Sequence, residues 1–221
     1  MLDKVTGILW YVKWFAIVCT LALLVDIVYV FWPYPAMRGV AVFQHNLQAE
    51  SGLVASLAGA EAAAFIRKVQ VWAYQPTFAW SGLHEMMRDV GKPASWQGAN
   101  AYMHAFVVGN WPFLQTAHIG ILLFAQRLAV LLLSAPLFLV VALAAGLDGS
   151  IAWYKRRTSV GRESGFIYHR AKHGFRHTVL GIWVLYLLPP VVVDPRWILL
   201  PSLLLVAMAT RLAVGYFKKY L

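Results

Sequence analysis

Ile151–His177, IAWYKRRTSVGRESGFIYHRAKHGFRH, decides the architecture. It carries Lys155, Arg156, Arg157, Arg162, Arg170, Lys172 and Arg176, seven of the nineteen basic residues. It lies between two apolar runs, Ile119–Leu147 and Thr178–Val193. A short, strongly basic connector between two membrane spans stays on the cytoplasmic side, and that placement orients every other segment. The chain is 61% hydrophobic and 13% charged, about half the charged share of a soluble globular domain. The class this predicts is an all-α integral membrane protein. It has four transmembrane helices, with a helical periplasmic segment between the first and second.

Working outward, residues 148–177 form a basic cytoplasmic loop, and residues 114–147 before it form transmembrane helix 2. Residues 178–193 after it form transmembrane helix 3, interrupted at its outer end by Pro189-Pro190. Asp194-Pro195-Arg196 is a tight reversal, with Asp194 suited to cap the next helix and Pro195 to its first position. Transmembrane helix 4 covers residues 197–214, and Lys218 and Lys219 hold the C-terminus inside. Residues 8–32 form transmembrane helix 1. Trp10, Tyr11 and Trp14 suit the inner interface, and Tyr29, Trp32 and Tyr34 the outer one. The run is too long for a cleaved leader and has no small-residue cleavage site, so an uncleaved span is expected. Both termini are therefore expected in the cytoplasm, and the protein in a bacterial inner membrane.

Residues 33–113 carry nearly balanced charge, and a loop of this length crosses whatever its few cations prefer. Leu47, Val54, Ala58, Phe65, Val69 and Trp72 fall in a narrow arc at helical spacing. Ser51, Ala55, Gly59 and Ala63 make a row of small residues four apart, compatible with close internal packing or with self-association. Pro76 is expected to break this helix, with shorter helices over Gly82–Val90 and Ser95–Val108.

Two charges fall inside predicted spans. Asp26 lies six residues before Trp32, about 9 Å inside the outer boundary. Arg127 precedes the most apolar stretch, Leu128–Leu147. Opposed helices put the two at similar depth, so they either pair or reach the outer interface separately. A transporter or channel-like protein would use them as a polar path.

The formal charge of +10 collects beside the apolar runs. Topology and acidic lipid head groups near the basic loop account for it. No direct nucleic-acid contact is expected, because no recognition motif accompanies the charge. Cys19 is the single cysteine, which excludes an intramolecular disulfide and a cysteine metal cluster. His169, His173 and His177 are four apart, but Arg170, Lys172 and Arg176 surround them and oppose a bound cation. His84-Glu85-Met86-Met87-Arg88 begins like a zinc-protease helix, yet Arg88 stands where the second ligand belongs. Nucleotide-binding loops and nucleophile elbows are also missing from the sequence. The expectation is a protein without enzyme activity, metal or cofactor.

Gly161–Lys172, GRESGFIYHRAK, holds more than a topology signal needs. Glycines flank Arg162 and Glu163, and the buriable group Phe166-Ile167-Tyr168 follows, then His169 and Arg170. Aromatic anchors with charges that fix register suit a protein contact, and a basic interfacial helix on acidic lipid is the other reading. With the Trp-Tyr-Lys-Arg-Arg before it, the stretch resembles the integrating conjugative element membrane protein family. These are inner-membrane proteins of mobile-element transfer regions, related to the TraJ-like partner of the conjugative coupling protein. The resemblance implies an accessory subunit of type IV secretion that supports the coupling ATPase in DNA transfer. Arg162, Glu163, Phe166, Tyr168, His169 and Arg170 would then be its contact surface.

Overall fold

The computed structural model of the chain describes residues 2–31, 40–89, 99–159 and 165–217. Helices α1 (Leu2–Phe31), α2 (Val40–Tyr74), α3 (Leu83–Asp89), α4 (Ala99–Gly109), α5 (Trp111–Thr158), α6 (Gly165–Leu187) and α7 (Pro195–Gly215) follow in order, and no strand occurs among the described residues. The all-helical expectation therefore holds. Three helices are long and apolar enough to cross a membrane: α1 over Leu9–Asp26, α5 and α7. The chain divides into two compact units, Met1–Val130 with Leu187–Val193, and Leu131–Tyr186 with Asp194–Leu221.

In the first unit α2 is two helical arms. Gly59 sits between them at φ 74°, ψ −178°, a conformation open essentially to glycine alone. The arms fold back on each other against α5. Phe43 packs with Ile119 and Leu123, and Ser51 Oγ donates to Gln126 Oε1 at 2.8 Å, so the first arm runs parallel to α5. Gln70 Nε2 then reaches the same Gln126 oxygen at 3.3 Å and the Leu122 carbonyl at 3.4 Å. The Tyr74 ring stands 5.3 Å from that of His118, so the second arm runs back. Two residues nineteen apart could not share one oxygen on a straight helix, which would hold them about 28 Å apart. Of the small-residue row, Ser51, Ala55 and Gly59 are exposed. The row leads into the fold-back at Gly59, and its Ser51 meets α5 through Gln126. Pro76 does not stop the chain's helical course at once: a π-helical turn, Gln75–Ala79, takes it up.

In the second unit α5 and α7 run parallel. A Cβ on Gly149 would stand 2.8 Å from the Arg211 carbonyl oxygen and 3.0 Å from Val214 Cβ, and one on Gly146 would stand 4.0 Å from Thr210 Cγ2. Further along, Trp153 Nε1 donates to the Phe217 carbonyl at 3.1 Å. Helix α6 runs antiparallel to both. Phe175, Val179, Ile182 and Trp183 face Leu131–Ala142 across a groove of about 370 Å³, while Tyr168 meets the Phe217 ring at 5.7 Å.

Two expected boundaries change. The basic stretch 148–177 is not mainly a loop: α5 runs to Thr158 and α6 starts at Gly165. The predicted third span, 178–193, is helical only to Leu187, because Pro189 and Pro190 lack the N–H that would continue it. Ten helical residues reach about 15 Å, half a hydrocarbon layer.

The Asp194 reversal forms as expected. Its Oδ1 accepts from the Arg196 backbone N–H at 2.9 Å, and Pro195 opens α7. The Arg196 guanidinium, 2.7 Å from Oδ2, holds this carboxyl below its usual range. A depressed carboxylate contributes stability above its unfolded pKa, near 4, and loses it as the pH falls through the folded value. Asp194→Ala should cost about 1 kcal/mol at pH 7. Thermal melts should show that deficit shrinking below pH 4.

Candidate functional site

The first unit is organised around a buried ion pair that the sequence did not reveal. Arg127, on α5, and Glu50, on the first arm of α2, are each 1% exposed. Arg127 Nη2 donates to Glu50 Oε1 at 2.5 Å, and Nε donates to Oε2 at 3.0 Å. This two-point grip suits the planar guanidinium fork. The remaining donors turn to broken backbone. Nη1 donates to the Pro189 carbonyl at 2.7 Å, and Nη2 to the Val191 carbonyl at 2.7 Å. Glu50 Oε1 accepts from the Val193 backbone N–H at 3.0 Å. Asn46, one turn before Glu50, donates to the Pro190 carbonyl at 2.9 Å.

Four backbone groups of the strap 189–193 are thus met by three side chains. Non-helical backbone at membrane depth is tolerated only where protein groups satisfy it. The proline pair creates the need, and Arg127, Glu50 and Asn46 meet it. Chemically the two charges are paired with each other, and both also hold backbone groups of the strap. Beside it Gln126, 1% exposed, accepts from Ser51 and Gln70. Its Nε2 has no partner among the described residues.

Arg127 therefore forms its ion pair with Glu50, and Asp26 has a different neighbour. Asp26 is buried against Gly120, where a Cβ would come 2.7 Å from Oδ2. It lies within Coulombic reach of Arg127, and no salt bridge joins the two among the described residues.

The predicted contact surface belongs to the second unit. Arg162 and Glu163 lie outside the described residues. Phe166 is 69% exposed, and the Arg170 guanidinium stands 5.2 Å over its ring. His169 is exposed, with its ring 5.4 Å from that of Tyr168. Tyr168 itself is half-buried against Phe217, so it braces the unit more than it offers a surface. Around it, Arg156 donates to the Gly215 carbonyl and stacks 3.8 Å over Tyr216.

With helices as the secondary structure of its described residues, three of them of spanning length, and broken backbone sealed by a buried ion pair, the chain has the make-up of a membrane protein. Comparison with known families adds the process. Residues 31–218 match the family described as IncC plasmid conjugative DNA transfer protein DtrJ-like. The chain belongs to this DtrJ-like family, and so to the machinery of conjugative DNA transfer. The match includes Glu50, Arg127, the strap and the face of α6. Comparison with curated proteins and with solved structures yields no match.

Proposed function

We propose that the protein is an accessory inner-membrane subunit of a conjugative type IV secretion apparatus, positioning the coupling ATPase without chemistry of its own. The observation that carries this reading is the exposed Phe166–Arg170 pair on the first turns of α6, set among cations in a chain of a DNA-transfer family. An aromatic anchor with an arginine beside it is the composition of an interface centre. The resemblance of residues 161–172 to integrating conjugative element membrane proteins supports the choice of partner. The paired Glu50–Arg127 cluster favours a scaffold over a polar path.

In this reading the chain crosses the membrane four times, at α1, at α5, at α6 together with the strap that follows it, and at α7, with both termini in the cytoplasm. The parallel course of α5 and α7 supports the count, since α6 must carry the chain back across the same layer. Lys155, Arg156, Arg157, Arg170 and Lys172 then sit on the cytoplasmic side beside acidic head groups.

Phe166→Ala combined with Arg170→Ala should lower co-purification of the coupling ATPase by about tenfold or more. Cells carrying the whole conjugative element supply the partner, and the amount of membrane-inserted protein should stay unchanged. Full recovery of the ATPase with the double variant would contradict the proposed contact.

A further inference from the structure

We propose that α2 is a re-entrant hairpin, one that enters the bilayer beside α5, turns at Gly59 and leaves on the side from which it came. The inference rests on the reading of α5 as a membrane span. That helix carries the apolar run Ile119–Leu147, about 43 Å long, which must house a hydrocarbon layer of about 30 Å. Both arms of α2 meet α5 within this run, at Leu122–Arg127, and both continue past Arg127 in the direction α5 takes. From Ser51 to Gly59 is about 12 Å, and from Gly59 to Gln70 about 16 Å. Such arms reach into the layer and fall well short of crossing it.

Composition agrees with that depth. Residues 52–66 read GLVASLAGAEAAAFI, with Glu61 their one charge, and Arg67 and Lys68 follow immediately. Both cations are exposed, as suits residues at the head-group level above a submerged apex. At the apex Leu57 is 48% exposed, and Ala55 and Ala60 are exposed with it. In water those groups stabilise nothing; against acyl chains they cost nothing. Because the arms are helical on both sides of Gly59, their backbone is satisfied within each arm, which limits the penalty of immersion. Glu61 opposes deeper entry, so lipid is the occupant of the apex and the apex is shallow.

Single cysteines in a Cys19→Ser background test this, using a membrane-impermeant maleimide on the full-length protein in sealed right-side-out and inverted vesicles. Gln44→Cys and Gln75→Cys should label from one and the same side. Ala60→Cys, and Leu57→Cys as its independent duplicate, should label about tenfold less from either side until detergent is added, as expected for residues in the lipid layer. Leu143→Cys, on the exposed face of α5, reports on the membrane reading itself. If it labels freely in sealed vesicles, that reading fails. If Leu143→Cys is protected while Ala60→Cys labels like Gln75→Cys, the hairpin lies outside the bilayer. If Ala60→Cys labels only from the opposite side, α2 crosses twice. Either of the last two results overturns the re-entrant hairpin alone.

Discussion

Arg127→Ala should remove about 3–5 kcal/mol of stability, enough to prevent the folded protein from accumulating in the membrane. The reason is what it leaves behind. Glu50, 1% exposed, is left without the guanidinium that pairs it, and the Pro189 and Val191 carbonyls lose the donors that reach them at 2.7 Å. Buried charges and carbonyls of this kind are costly because desolvation is not offset. Glu50→Ala should fall in the same range, since it strands the guanidinium and the Val193 N–H. Combining Glu50→Gln with Arg127→Gln removes both charges while keeping hydrogen-bonding groups. The double variant should therefore lose less than the Glu50→Gln and Arg127→Gln single variants together, a non-additivity measurable as coupling in unfolding titrations. Additive losses would show that the pair is not a unit.

Gly149→Ala should destabilise the second unit by about 1–3 kcal/mol. One methyl group would stand 2.8 Å from a backbone carbonyl oxygen of α7 and 3.0 Å from Val214 Cβ. Backbone cannot rotate away as a side chain can, so α5 and α7 must separate and forfeit contacts along their parallel course. Gly146→Ala is the internal control. Its methyl meets Thr210 Cγ2 at 4.0 Å, an ordinary contact, and alanine favours helix by about 1 kcal/mol over glycine. Thermal melts in detergent should therefore fall for Gly149→Ala and hold or rise for Gly146→Ala. Equal effects at the two sites would contradict the close crossing.

The membrane character and the helical class could be read from residue order, because long apolar runs report directly on local structure. So could the Asp194-Pro195 cap. Three features could not. Cations at 148–177 suggested a loop, yet charge reports which residues stay near water, not whether their backbone is helical. The apolar run 178–193 suggested a complete span, but Val191, Val192 and Val193 are non-helical; apolar composition does not distinguish a helix from a strap. The role of Glu50 is not legible locally, because its partner is seventy-seven residues away on another helix. A signal was present: Glu50 stands three after Leu47 and four before Val54, inside the apolar arc of its own helix. A carboxylate on a buried face needs a partner, and Arg127 was the cation inside a predicted span. Residue order points to Asp26 instead, since both it and Arg127 lie in long apolar runs.

The paired Glu50–Arg127 cluster favours a scaffold over a polar path, and DNA transfer by the Glu50→Gln/Arg127→Gln double variant tests that choice most directly. Transfer frequency should be measured per amount of protein correctly inserted in the membrane. A structural role predicts transfer within a few-fold of the unaltered protein once folding is taken into account. Abundant, correctly inserted double variant with transfer abolished would mean that the charges themselves work in the process, as in a polar path.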